Sequence, residues 1–208
     1  MTTRREFMTA LTSVAAFHFE PQGPPAPPGG WDLSWLDRFK GKHKQVFDVG
    51  TFDLATDTPL RFVANYFDGF RDALHAEPPA VNAAIGVARV SFPLNASDAL
   101  WQKYALGGKW GIKDPATGKP STRNIFLGAP GGDDPVTVRA LQARGALFWQ
   151  CNFALGAVAF MLARETNTPL PDVRAELTAG LNPSVVLVPT HAMAVGLAQE
   201  RGFTYSKP

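Results

Sequence analysis

A single cysteine, Cys151, stands at the end of the apolar run Ala146 to Asn152 and directly before a strongly apolar helical pattern, Phe153 to Glu165. If that run is a parallel strand, the cysteine lies at its carboxyl end, facing the crevice where open α/β sheets take ligands. The backbone N–H groups opening the next helix favour a thiolate there and lower the thiol pKa. A thiolate so placed can attack a sulfane sulfur and hold it as a persulfide. The competing reading is inert core filler, because cysteine is among the most buried residue types. With only one cysteine, neither an internal disulfide framework nor a CxxC pair can form. Asn152 is the neighbouring candidate, either donating a side-chain hydrogen bond to a bound group or capping the helix.

His191 is the third candidate. It follows the short apolar run Val185 to Val188 and opens the last helical pattern, so parallel strands bring it to the same sheet edge as Cys151. A histidine there shuttles a proton or pairs with the thiolate; alternatively it is simply a polar residue at a helix start. His43 begins its own strand and should sit at the opposite sheet edge. His18 and His75 add no metal-ligand spacing, so no metal site is expected. No phosphate-binding Walker loop, GxGxxG fingerprint, nucleophile-elbow serine or HExxH helix occurs, and no cofactor is expected.

The elements that must position these residues alternate along the chain. His43 to Asp53 reads as the first strand, and Thr58-Pro59 opens a helix whose apolar residues Leu60, Val63, Ala64, Phe67, Phe70 and Leu74 recur at helical spacing. Pro78-Pro79 stops it. Val81 to Val90 is a run of small and β-branched residues, as expected of a central strand covered on both faces. Helices follow over Ala96 to Leu106 (cap Asn95 or Ser97) and Pro135 to Arg144 (cap Asp133 or Asp134, stop Gly145). After Cys151 come helices Phe153 to Glu165 and Pro171 to Ala179, strand Val185 to Val188, a helix from Thr190 or His191 to Arg201, and a terminal strand Phe203 to Tyr205. Strands separated by helices require crossovers, which predicts an α/β fold with a mainly parallel sheet and helices on both faces.

Residues 107–124, rich in Gly, Lys, Asp and Pro, read as an inserted surface loop. Trp101, Tyr104 and Trp110 with Lys103, Lys109, Lys113, Lys119 and Arg123 suggest either a cationic aromatic surface for an acidic partner or ordinary core and oligomer contacts. The second is the expectation. A net charge of +2 is too small to indicate nucleic acid or an anionic membrane, and neither is expected as a partner.

The N-terminus carries an address. Thr3-Arg4-Arg5-Glu6-Phe7-Met8 resembles the twin-arginine export motif, and a weakly apolar stretch from Phe7 to Phe19 follows. Ala15-Ala16-Phe17 is a poor cleavage site, so membrane association is expected only if the segment is retained. Pro21 to Gly30 reads as a stiff spacer. The expected organisation is residues 1–30 as signal and spacer and 31–208 as one domain, with a periplasmic destination.

The C-terminal third resembles the DsrE-like family. Leu141-Gln142-Ala143-Arg144-Gly145-Ala146-Leu147-Phe148-Trp149-Gln150-Cys151-Asn152 is similar to its helix–glycine–strand–cysteine segment. Val186-Leu187-Val188-Pro189 and Leu197-Ala198-Gln199-Glu200-Arg201-Gly202-Phe203-Thr204-Tyr205 are similar to its closing strand, helix and Gly-aromatic-x-Tyr finish. By order of elements the similarity spans residues 43–208, and at motif level about a third of that. It implies flavodoxin-like layers, homo-trimers or hexamers, and in some members a persulfide on the cysteine matching Cys151, with a sulfur donor or acceptor protein as partner. His191 departs from the small residue common after the Val-Pro step, which points to a different site. Two functions follow: an exported sulfur carrier using Cys151, or a noncatalytic small-ligand-binding or assembly module. No reaction is established by the sequence.

Overall fold

A computed structural model describes residues 30–208. The twin-arginine motif, the apolar stretch behind it and the spacer up to Gly29 lie outside the described residues.

Five strands form one sheet: β1 (His43–Asp48), β2 (Val81–Val87), β3 (Leu147–Cys151), β4 (Val186–Val188) and β5 (Thr204–Ser206). Their order is β4-β3-β2-β1-β5, and all four pairings are parallel. The helices are α1 (Leu60–Leu74), α2 (Asp98–Lys103), α3 (Leu106–Trp110), α4 (Val138–Ala143), α5 (Asn152–Thr166), α6 (Leu170–Ala179) and α7 (His191–Glu200).

Alternation along the strands builds two cores, because successive side chains leave opposite faces of a sheet. Phe47, Val81, Ala83, Ile85, Val87 and Phe148 pack with α1, α4, α5 and α6 on one face. Val46, Ala84, Leu147, Trp149 and Val188 pack on the other with α7 and with Trp35, Leu36 and Phe39 from the N-terminal segment. All seven residues of β2 are buried, as its continuous apolar run requires.

Chain direction decides which helix covers which face. From β1 to β4 the chain steps steadily toward one edge, and right-handed crossovers put every intervening helix on one side. The β4-to-β5 connection reverses direction across the sheet, so the same handedness puts α7 on the other side, over β1 and β2. The connections leaving adjacent strands β3 and β4 therefore diverge to opposite faces. A crevice opens at their carboxyl ends.

Several element boundaries differ from the sequence expectation for local reasons. β1 stops at Asp48, where the Gly50 N–H turns back to donate to Asp48 Oδ1 at 3.0 Å. β2 stops at Val87 because Ser91 Oγ both accepts from the Ala88 N–H and donates to the Ala88 carbonyl, winding the 3-10 helix Arg89–Asn95. The helix expected over Ala96 to Leu106 is broken at Ala105, which adopts φ 50°, and restarts as α3. α4 starts late, capped by Thr137 Oγ1 accepting from the Ala140 N–H rather than by Asp133 or Asp134.

The stretch 107–124 is only partly a surface excursion. Trp110 and Ile112 sit in the main core, while Lys113 and Pro120 bridge at the base of an exposed turn. A Cβ on Gly107 would lie 2.1 Å from the Ser121 carbonyl oxygen, so the two arms close on a bare glycine. Trp101 and Tyr104 are buried in the same core, as their helical spacing leads one to expect.

Burial and hydrogen bonding both act on the tyrosines. Burial pushes Tyr66 up to about 12. Tyr104 rises to about 12 through burial and its hydrogen bond to Glu176, and Tyr205 is raised first by its bond to Asp48. These are the protein's three tyrosines. An alkaline titration followed by tyrosinate absorbance is therefore expected to show none ionising at the ordinary value of 10.0. A tyrosine titrating at that value would contradict the packing described.

Candidate functional site

The carboxyl ends of all five strands converge on one cleft of about 510 Å³. Asp48 ends β1, Ala88 and Arg89 follow β2, Cys151 ends β3, Thr190 and His191 follow β4, and Lys207 follows β5. The N-termini of α5 and α7 open onto it from opposite sides of the sheet. α5 is capped by Cys151 and α7 by Thr190, whose Oγ1 accepts from the Met193 N–H at 3.3 Å.

Cys151 occupies the predicted position between strand and helix. Its Sγ accepts from the Ala154 N–H at 3.4 Å, so the sulfur, and not the Asn152 side chain, serves as the cap of α5. The residue is 5 % exposed and packs with Ala88 and Ala154 while lining the cleft.

His191 lines the same cleft, but both its ring nitrogens are occupied by other groups. Trp149 Nε1–H donates to His191 Nδ1 at 3.2 Å, and His191 Nε2 meets Asp48 Oδ1 at 2.9 Å. An indole N–H only donates, so Nδ1 must be the acceptor and Nε2 must carry the proton given to Asp48. The two contacts thereby favour the tautomer with its proton on Nε2, since a proton on Nδ1 would face the indole donor. Among the described residues no hydrogen bond joins His191 to Cys151.

Asp48 gathers three donors. Besides His191 Nε2–H, the Gly50 N–H donates to Oδ1 at 3.0 Å and the Tyr205 hydroxyl donates to Oδ2 at 2.8 Å. The His191 hydrogen bond is the main cause holding the Asp48 carboxyl well below the usual carboxylate range, with Tyr205 and Gly50 adding to it against burial.

Gly86 makes this relay sterically possible. The register places Asp48 beside Gly86 and Gly86 beside Trp149 in one row across the sheet. A Cβ on Gly86 would lie 2.5 Å from His191 Cε1 and 2.6 Å from Trp149 Cζ2. The imidazole therefore crosses β2 over a residue without a side chain, spanning from the indole to the carboxylate.

Asn152 lies elsewhere. It is buried, its Oδ1 accepts from the Arg174 guanidinium of α6, and it is not part of the cleft wall. His43, at the amino end of β1, stacks near Phe70 with ring centroids 4.5 Å apart and takes no part in the site. Among the described residues no group of three or more His, Cys, Asp or Glu side chains is arranged to hold a metal ion.

The site members that the sequence analysis did not single out are Asp48, Trp149, Gly86, Arg89 and Lys207. For Asp48 a signal existed: a carboxylate directly after the apolar pair Val46-Phe47 marks a strand's carboxyl end. For Gly86 none did, because the need for a missing side chain arises only when Trp149 and His191 meet above it.

No protein-family model matches this chain, and neither does any curated protein. Among solved structures, a protein of unknown function from Methanobacterium thermoautotrophicum is similar at 12% identity, covering 80% of this chain and 100% of that chain, with a TM-score of 0.40. The fold class rests on the strand order and register themselves: a mixed α/β fold whose parallel five-stranded sheet is flanked by helices, in flavodoxin-like layers.

Proposed function

We propose that this chain is an exported sulfur-handling protein of DsrE-like type, with Cys151 as the acceptor of a sulfane sulfur. The single observation that supports this reading is the position of Cys151 Sγ, which takes a hydrogen bond from the first turn of α5 while lining the cleft where the strand ends converge. In the reaction the thiolate sulfur forms a new S–S bond to the donor's outer sulfur. The donor's own S–S bond breaks, and its electron pair leaves with the departing fragment. No oxidant is required, since the donor supplies sulfur already at the right level. The second reading, a small-ligand-binding or assembly module, draws on the low exposure of the thiol and on the half-exposed Phe153 at the cleft mouth.

Intact-mass analysis after exposure to a sulfane-sulfur donor tests the choice. The carrier reading expects an adduct of one sulfur on the wild-type chain and none on Cys151→Ser. It also expects rapid alkylation of Cys151 in the folded protein. Absence of both, with Cys151→Ser unchanged in ligand binding and assembly, leaves the binding module as the function.

A further inference from the structure

We infer that the cleft at the strand ends is a binding site for a small oxyanion, held between Arg89 and Lys207. The inference rests on the same cleft as the proposed function, and on nothing about sulfur transfer. Its basis is the cleft's charge inventory. Arg89 and Lys207 are both exposed and line it, and neither makes an ion pair or side-chain hydrogen bond among the described residues. Among the described residues Asp48 is the sole carboxylate in the cleft wall, and its two oxygens are already taken by the His191, Gly50 and Tyr205 donors. The wall therefore presents two uncommitted cations against one committed anion.

Two further features point the same way. The N-termini of α5, 15 residues long, and α7, 10 residues long, both open onto the cleft, and the positive ends of their dipoles favour negative charge there. Cys151 is nine-tenths buried, and its Sγ accepts from Ala154, yet its own S–H finds no acceptor among the described residues and borders the cleft. A neutral or cationic ligand leaves both cations and the helix termini unanswered. An oxyanion engages them together.

Titration of the full chain with sodium sulfate, followed by calorimetry and by amide NMR shifts, provides the test. Saturable binding is expected, with the largest shifts at Gly50, Ala154 and Ala192. The double variant Arg89→Gln/Lys207→Gln should weaken it about tenfold or more, each single change accounting for about threefold, and added salt should weaken it further. Both side chains are exposed, so the fold should survive, and circular dichroism will show whether it does. A second readout needs no ligand: Cys151 alkylation by anionic iodoacetate relative to neutral iodoacetamide should fall in the double variant. No saturable binding at millimolar sulfate, shifts located elsewhere, or equal affinity in the double variant would overturn the inference. Sulfate binding without any sulfur adduct removes the carrier reading alone, whereas a sulfur adduct from a neutral donor without sulfate binding removes the oxyanion site alone.

Discussion

Replacing Trp149 by alanine is expected to destabilise the protein by about 3–5 kcal/mol, the range for deleting a fully buried large aromatic side chain. Trp149 is 0 % exposed and sits at the centre of the smaller core, with its ring centroid 5.3 Å from that of Trp35. Alanine leaves a cavity between β3 and α7 that Val188 and Ala194 are too short to fill. It also removes the donor to His191 Nδ1, leaving a partly buried nitrogen to find water. Trp149→Phe separates the two effects: it keeps most of the apolar volume, removes the indole N–H, and should cost about 1–2 kcal/mol. Urea unfolding of the three proteins, with slopes compared as well as midpoints, gives the answer. If Trp149→Ala costs no more than Trp149→Phe, the smaller core is not packed around this indole.

The second large effect is expected at Asp48. Asp48→Ala removes the acceptor of three hydrogen bonds at once. The Tyr205 hydroxyl is well exposed and can turn to water, so the loss falls mainly on His191 Nε2–H and the Gly50 N–H. Two part-buried donors left without a carboxylate predict a cost of about 2–3 kcal/mol at neutral pH. Asp48→Asn keeps one acceptor oxygen and should cost less.

The pH dependence has a definite sign. A carboxyl whose folded pKa is depressed contributes stability that is fully present above its unfolded value, here 3.8, and is lost as pH falls through the folded value. The difference in stability between wild type and Asp48→Asn should therefore shrink as the pH drops below 3.8. A difference that stays constant down to the acid limit would mean that Asp48 is not held by these donors.

These two residues also show where the sequence is informative and where it is not. The order of strands and helices is legible because each is a local property. Leu60, Val63, Ala64 and Phe67 mark one face of a helix by spacing alone, and the all-apolar Val81 to Val87 marks a strand buried on both sides. Parallel pairing follows too, since a helix between two strands leaves no shorter way back. The placement of Cys151 at a strand end before a helix is local in the same sense.

Tertiary structure alone decides how the site is wired. Asp48, Gly86, Trp149 and His191 come from four different stretches of chain, and register brings the first three into one row under the imidazole. Local sequence marks His191 as a helix-start residue near the cysteine, but which partners occupy its nitrogens depends on α7 crossing over β2 to the far side of the sheet. Asn152 follows Cys151 directly, yet the first turn of α5 aims one side chain at the cleft and the other at Arg174 of α6. The same holds for residues 107–124, whose polar composition predicts solvent exposure while Trp110 and Ile112 anchor the first arm in the core. Composition and periodicity determine which elements form and which faces they bury. Which side chains then meet, and which hydrogen bonds they exchange, is set by long-range contacts that no local pattern encodes.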